Sequence, residues 1–147
     1  MLNRYTNRYI SISYRCMQRF LKRHLRQMNL DVGQFPFLLR LYIEPGSTQD
    51  QLAAQLGMDK GTVARGIAQL EQRGLARRQS DDHDRRVNHV YPTDQAHMLE
   101  KQLFAIVDEL HDVMYDGLSR EETEQFFSLL LRVADNIQKA LGPNPKL

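Results

Sequence analysis

Ten residues near the middle of the chain, SDDHDRRVNH at 80–89, hold three aspartates, two arginines and two histidines. Carboxylates and imidazoles this close together are metal-ligand types. Adjacent arginines are phosphate-ligand types, and an Asp-rich polar run also suits a solvated turn. Spacing alone leaves all three readings open. Elsewhere the chain is poor in reactive chemistry, with no phosphate-cradling glycine loop, nucleophile elbow or HExxH motif. His97 and His111 share one helical stretch but lie fourteen residues apart, about 21 Å at 1.5 Å per residue, too far to hold one ion within a chain. A loop site of Asp81, Asp82 and His83 without supporting outer ligands would bind metal weakly and unselectively. Neither an enzyme nor a resident metal or cofactor is expected.

The chain has 147 residues, 41% apolar and 26% charged, enough for one domain with a real core or two small subdomains sharing one. No apolar run approaches the ~20 residues of a membrane helix. The opening MLNRYTNRYISISYRC lacks the apolar block of a secretory signal. A single cysteine, Cys16, excludes an internal disulfide or a cysteine-based zinc site. A cytoplasmic protein is expected. Net charge is +2 but unevenly spread: residues 1–40 carry eight Lys/Arg against one acid, while residues 94–141 carry ten acids against four bases. The two ends are complementary and can pack on each other within a chain or across a dimer, or remain solvated helix faces.

Start and stop signals predict the elements that place these residues. A first helix spans about Tyr5–Met28, with apolar residues on two faces. Asp31 is expected to cap a second, VGQFPFLLRLYI, with Pro36 tolerated near its first turn. Thr48 and Gln51 have capping-box spacing before a third helix that closes on Gly57. Asp59 caps a fourth, which closes on Gly74. LARRQS and RVNHVYP then read as the arms of a hairpin with DDHDRR at its tip. Thr93 caps a fifth helix reaching about Asp116, Gly117 ends it, and Ser119 with Glu122 caps a sixth that Gly142-Pro143 stops. The fold expected is mainly α with a small β-hairpin, in the order α-α-α-α-β-β-α-α.

The third and fourth helices are separated by about two residues and must cross steeply. Ala53, Gly57 and Val63 supply the small residue, turn glycine and apolar anchor of a helix-turn-helix. In such a unit the start of the second helix meets base edges in the major groove. Lys60, Thr62, Ala64 and Arg65 occupy that position: lysine and arginine can donate to guanine, and threonine can touch a thymine methyl or donate to phosphate. Gly66 either lets the helix sit deep or serves packing. Arg73, Arg77 and Arg78, with Thr48, Gln49 and Gln51, are candidate phosphate contacts. A hairpin directly after the recognition helix is a wing, whose arginine suits a narrow minor groove.

From about residue 30 to 96 the chain resembles the MarR family of winged-helix transcription regulators. The matching text is STQDQLAAQLGMDKGTVARGIAQLEQRGLARRQSDDHDRRVNHVYPTD. The resemblance implies that Arg86 enters the minor groove, that Asp84 positions it, and that Arg85 contacts phosphate. It implies dimerisation through residues 1–30 and 117–147, a winged helix-turn-helix at 31–93 and a connecting helix at 94–116. The homodimer would read a pseudo-palindrome in double-stranded DNA, most simply as a repressor. Two departures stand out: Pro92 and Ala96 replace the family's frequent leucine and glycine, and Pro92, lacking a donor, is expected to end the hairpin early. Family members often release DNA on binding small aromatic acids. Tyr9, Arg15, Arg19, His24, Phe35 and Phe37 are candidates for lining such a crevice, or else core and interface residues. Cys16 has no adjacent histidine or tyrosine pattern to activate it and reads as a buried structural residue, and His83 has no evident role. A winged-helix module that docks protein or binds DNA without sequence choice is the alternative.

Overall fold

The computed structural model describes residues 5–142. Pro143 and the outer ends of the two terminal segments, 1–4 and 143–147, lie outside the described residues. The chain forms α1 (Thr6–Leu25), a 3-10 turn (Arg26–Met28), α2 (Phe35–Ile43), β1 (Ser47–Thr48), α3 (Gln49–Leu56), α4 (Lys60–Gln72), β2 (Ala76–Ser80), β3 (Asn88–Pro92), α5 (Asp94–Met114) and α6 (Arg120–Leu141). The fold is mainly helical with a small antiparallel sheet ordered β1-β3-β2.

The core lies where α2, α3, α4 and the sheet meet the inner parts of α1 and α5. Leu25, Leu38, Leu41, Leu52, Val63, Ile67, Leu70, Val90 and Leu103 are all fully buried there. The capping residues behave as their chemistry requires. Thr48 accepts from Gln51 N while Gln51 returns its side chain to Thr48 N, Asp59 and Thr93 accept from the third residue of their helices, and Ser119 with Glu122 closes a second box. Gly57 adopts φ +61°, the left-handed conformation that ends α3 and permits the sharp turn into α4.

Three features differ from the sequence-based expectation. Asp31 does not cap α2; the capping position is Gln34, and Pro36 falls in the first turn. A helix begun at Asp31 would set Pro36 in its second turn, where the missing donor and the ring's clash with the carbonyl four residues back break helix. The sheet gains a third strand, β1, because Ser47 and Thr48 pair with Val90 and His89. A two-residue strand leaves no period to detect. The hairpin also runs through Pro92 instead of ending early. Thr93 N donates to Leu75 O and Asp81 N to Val87 O, so in this register Pro92 opposite Ala76 falls in a non-hydrogen-bonded pair. Its nitrogen faces the side of β3 toward β1, beyond the reach of that short strand.

No helix among the described residues is long and apolar enough to cross a membrane. α6 has no buried residue. Phe126, Phe127, Leu130, Val133, Ile137 and Leu141 on α6, Tyr5 just before α1, and Tyr9, Ile10 and Tyr14 on it are all exposed within the single chain.

Candidate nucleic-acid interface

The helix-turn-helix is built as its residue types demand. Ala53 is 7% exposed and Val63 fully buried, so α3 and α4 meet at these two small or β-branched positions and display the outer face of α4. On that face Asp59 organises the start of the helix. Its carboxylate accepts from Thr62 N at 2.8 Å and from the Thr62 hydroxyl at 2.6 Å, and these bonds hold it below the usual carboxylate range. Arg65 Nη2 in turn donates to Thr62 Oγ1 at 3.2 Å. Arg65 therefore folds back toward the helix start, where an added Cβ on Gly61 would stand 3.3 Å from its guanidinium. With the hydroxyl committed to Asp59, Thr62 offers its methyl to a ligand more readily than its O–H. Lys60 is exposed and ion-paired with Asp50 of α3 at 3.0 Å. Ala64 is half-buried beside it.

Gly66 faces the interior. A Cβ there would overlap the ring of Phe37, so this glycine serves helix packing and does not deepen the DNA-facing surface.

The wing tip is an ordered turn. Asp81 Oδ1 accepts from the amides of His83 (2.8 Å) and Asp84 (3.0 Å), and Oδ2 lies 2.9 Å from His89 Nε2. Both carboxylate oxygens are thus engaged, which answers what this residue does in the Asp/His cluster. Asp84 grips Arg86 three times: its Oδ1 accepts from the amide (3.0 Å) and Nε (3.1 Å), and its Oδ2 from Nη2 (3.3 Å). The Arg86 side-chain bonds, then its amide, hold Asp84 below the ordinary carboxylate range. The Arg86 side chain is 91% exposed. The Arg86 guanidinium is thus held in one orientation by Asp84 while lying almost wholly in solvent. Arg85 beside it is also exposed.

The remaining candidates diverge. The Arg77 guanidinium sits 4.7 Å over the Tyr91 ring, while Arg78 turns to Glu71 of α4 at 3.4 Å. Arg73 donates to Gln34 Oε1 at 3.0 Å and lines a cavity of about 480 Å³ with Lys22, Arg26, Asn29, Leu30 and Asp31. It therefore faces the junction of α1 and α2. Thr48 and Gln51 spend their side chains on each other's backbone. Gln49 Nε2 is buried and has no acceptor among the described residues.

The six crevice candidates are not gathered within one chain. Phe35 and Phe37 are core residues, 7% and 2% exposed, whereas Tyr9 is 65% exposed. Tyr9 and His24 lie fifteen residues apart on α1, about 22 Å along the helix. His24 stacks on Phe20 with ring centroids 4.2 Å apart and approaches Glu109 of α5 at 3.5 Å. Arg15 and Arg19 are exposed, and Arg19 donates to the Cys16 thiol at 3.3 Å. Cys16 is itself exposed in the single chain, not buried as the sequence suggested, because it falls on the outer face of α1. Residues that the sequence reading passed over include Asp50, Glu71 and His89, each a partner across the fold. Only the His89–Asp81 pairing carried a sequence signal, eight residues apart across a hairpin tip.

A helix pair joined by a short glycine turn, with a cation-bearing outer face and followed at once by an arginine-tipped hairpin, defines a winged helix-turn-helix DNA-binding protein. The MarR family model matches residues 28–87. The HTH-type transcriptional regulator YybA of Bacillus subtilis is 30% identical over 114 residues, covering 78% of this chain and 76% of its own. A MarR transcriptional regulator from Methanosarcina mazei superposes with a TM-score of 0.82 at 32% identity, over 92% of this chain and 98% of that one. A mutant MarR from E. coli, crystallised with operator DNA, shares the fold at TM-score 0.78 and 23% identity, over 86% and 91% of the two chains. The chain belongs to the MarR family and is a MarR-type, DNA-binding transcriptional regulator.

Proposed function

We propose that the protein is a repressor that binds a pseudo-palindromic operator as a homodimer, in the cytoplasm and without catalysis of its own. The observation that carries this reading is the Asp84–Arg86 fork, 91% exposed at Arg86, standing directly after an α4 whose Lys60 and Arg65 face outward. α4 enters the major groove with Lys60, Thr62, Ala64 and Arg65 at the bases. Arg86 enters the flanking minor groove, and Arg85 and Arg77 follow the phosphates. The start of α3, which carries Thr48, Gln49 and Gln51, approaches the backbone, although the Thr48 and Gln51 side chains are engaged with each other's amides and Gln49 Nε2 is buried.

Residues 1–30 and 117–147 form the dimerisation region, 31–93 the winged domain and 94–116 the link between them. A second copy is the occupant that fits α1 and α6. Their apolar stripes are uncovered in one chain, and the basic first segment is complementary in charge to the acidic last one. A small aromatic acid is the proposed effector class. The cavity beside Lys22, Arg26 and Arg73 offers cations for its carboxylate, and dimerisation is what would bring Tyr9, Arg15 and Arg19 near any crevice.

Competition binding tests the reading. A specific regulator prefers DNA it selects from a randomised pool over bulk DNA by roughly a thousandfold or more. Equal affinity for the two would replace it with a winged-helix module that binds DNA without sequence choice.

A further inference from the structure

The geometry points to His89 as a positioning residue for the wing arginine, acting as a doubly protonated clamp that ties the wing tip to the turn before β1. This rests on the minor-groove role proposed for Arg86. His89 lies in β3 between Thr48 of β1 and Gln79 of β2. Its ring reaches two acceptors at once, with Nδ1 2.7 Å from the Gly46 carbonyl oxygen and Nε2 2.9 Å from Asp81 Oδ2.

A carbonyl oxygen can only accept, and so can an ionised carboxylate. Asp81 is ionised across the physiological range: its bond to His89, then the Asp84 and His83 amides, draw its carboxyl down to about 2. Both ring nitrogens must therefore donate, which only the imidazolium can do. A neutral ring keeps one donor and turns a lone pair toward the other oxygen.

From Asp81 the connection continues outward. The carboxylate that His89 holds also caps the amide of Asp84, and Asp84 grips Arg86. His89 and Asp81 are each only about three-tenths exposed, 29% and 30%, whereas Arg86 is almost wholly in solvent, so the His89 end is the more enclosed end of the wing.

The surroundings leave Asp81 as the charge that His89 answers. Its cross-strand neighbours Thr48 and Gln79 are uncharged. On and at the ends of the helices packed against β3, Glu44 just after α2 is held by Arg40 and Gln55, Asp50 by Lys60, and His97 pairs with Glu100. The bond to Asp81, then that to the Gly46 carbonyl, raise the His89 pKa above the ordinary histidine value. A raised folded-state pKa means that the clamp is fully made below the ordinary histidine range. It is lost as pH climbs through the raised value. DNA affinity that depends on an aimed wing therefore falls as pH rises through that raised value.

The test is fluorescence anisotropy of the full chain with the duplex it selects from a randomised pool, from about pH 6 to pH 9, the interval in which histidine changes charge. The variants are His89→Gln, Arg86→Ala and the double variant. Wild-type affinity is expected to drop about fivefold more than that of His89→Gln across this range, a share of the wing arginine's own contribution. In the Arg86→Ala background His89→Gln is expected to change nothing further. Parallel pH profiles for wild type and His89→Gln, or an equal effect of His89→Gln with and without Arg86, would overturn the clamp. An Arg86→Ala variant that binds like wild type would instead remove the minor-groove reading beneath it. Should His89→Gln fail to fold, imidazole NMR of wild type and Asp81→Asn decides. The His89 midpoint is expected to fall in Asp81→Asn, and an unchanged midpoint refutes the clamp.

Discussion

Gly66→Ala sets two opposed effects against each other on the helix proposed to read DNA. Alanine is the better helix former and gains about 1 kcal/mol over glycine in a helix interior. The added methyl, however, would overlap three atoms of the Phe37 ring, against an ordinary carbon–carbon separation of about 3.5–4.0 Å. Phe37 is itself only 2% exposed, so its ring cannot swing into solvent, and α2 and α4 must part or the ring leave its rotamer. Overpacking of this kind costs about 1–3 kcal/mol, and overlap with several ring atoms belongs at the upper end. The net expectation is a loss of about 1–2 kcal/mol, or a fall in Tm of roughly 2–8 °C for a chain of this size. Thermal and urea unfolding at one fixed protein concentration measure it, since a dimer's stability depends on concentration. Phe37→Leu in the same chain is expected to recover at least ~0.5 kcal/mol of the Gly66→Ala loss, as coupling between residues in contact requires. A neutral or stabilising Gly66→Ala, or strict additivity with Phe37→Leu, would refute the packing argument and return Gly66 to the DNA-facing surface.

Arg86→Ala is expected to weaken operator binding by at least ~1 kcal/mol with unfolding unchanged, because the wing tip buries almost no core. Anisotropy beside a melting curve checks both halves. Asp59→Ala removes a helix cap worth about 1 kcal/mol and frees Thr62 and Arg65, so stability should fall and the base preference read by selected-pool sequencing should broaden; an unchanged preference would show that Asp59 is a cap alone. Light scattering should give twice the chain mass, and Leu130→Glu on the exposed stripe of α6 should shift it toward one chain. A monomeric wild type would remove the basis for palindromic reading.

Much of the architecture was legible because its signals are local. Thr48/Gln51, Asp59, Thr93 and Ser119/Glu122 mark helix starts through bonds spanning three residues, and Gly57 marks a turn only a left-handed residue makes comfortably. The motif run from Thr48 to Arg86 identified the recognition helix and wing by the same local logic. Asp31 misled because its cap chemistry is sound in isolation and Pro36 five residues later overrules it. Pro92 misled because a proline's cost in a strand depends on which side of the ladder its nitrogen faces, a matter of register.

What the sequence alone determined, then, are the order of the six helices and the hairpin, the helix ends set by the caps at Thr48, Asp59, Thr93 and Ser119 and by Gly57, and the residue types displayed on α4 and at the wing tip. Each follows from interactions within a few positions along the chain. What only the tertiary structure decided are the pairings between distant positions. It placed Gly66 against Phe37, Arg73 against Gln34, β1 against β3, and His89 between Gly46 and Asp81. Those contacts depend on where whole elements come to rest, and 43 residues separate Gly46 from the ring that holds it. The histidine with a partner in the SDDHDRRVNH run proved to be His89, because strand register carried its ring to a carboxylate while His83 stayed at the open tip.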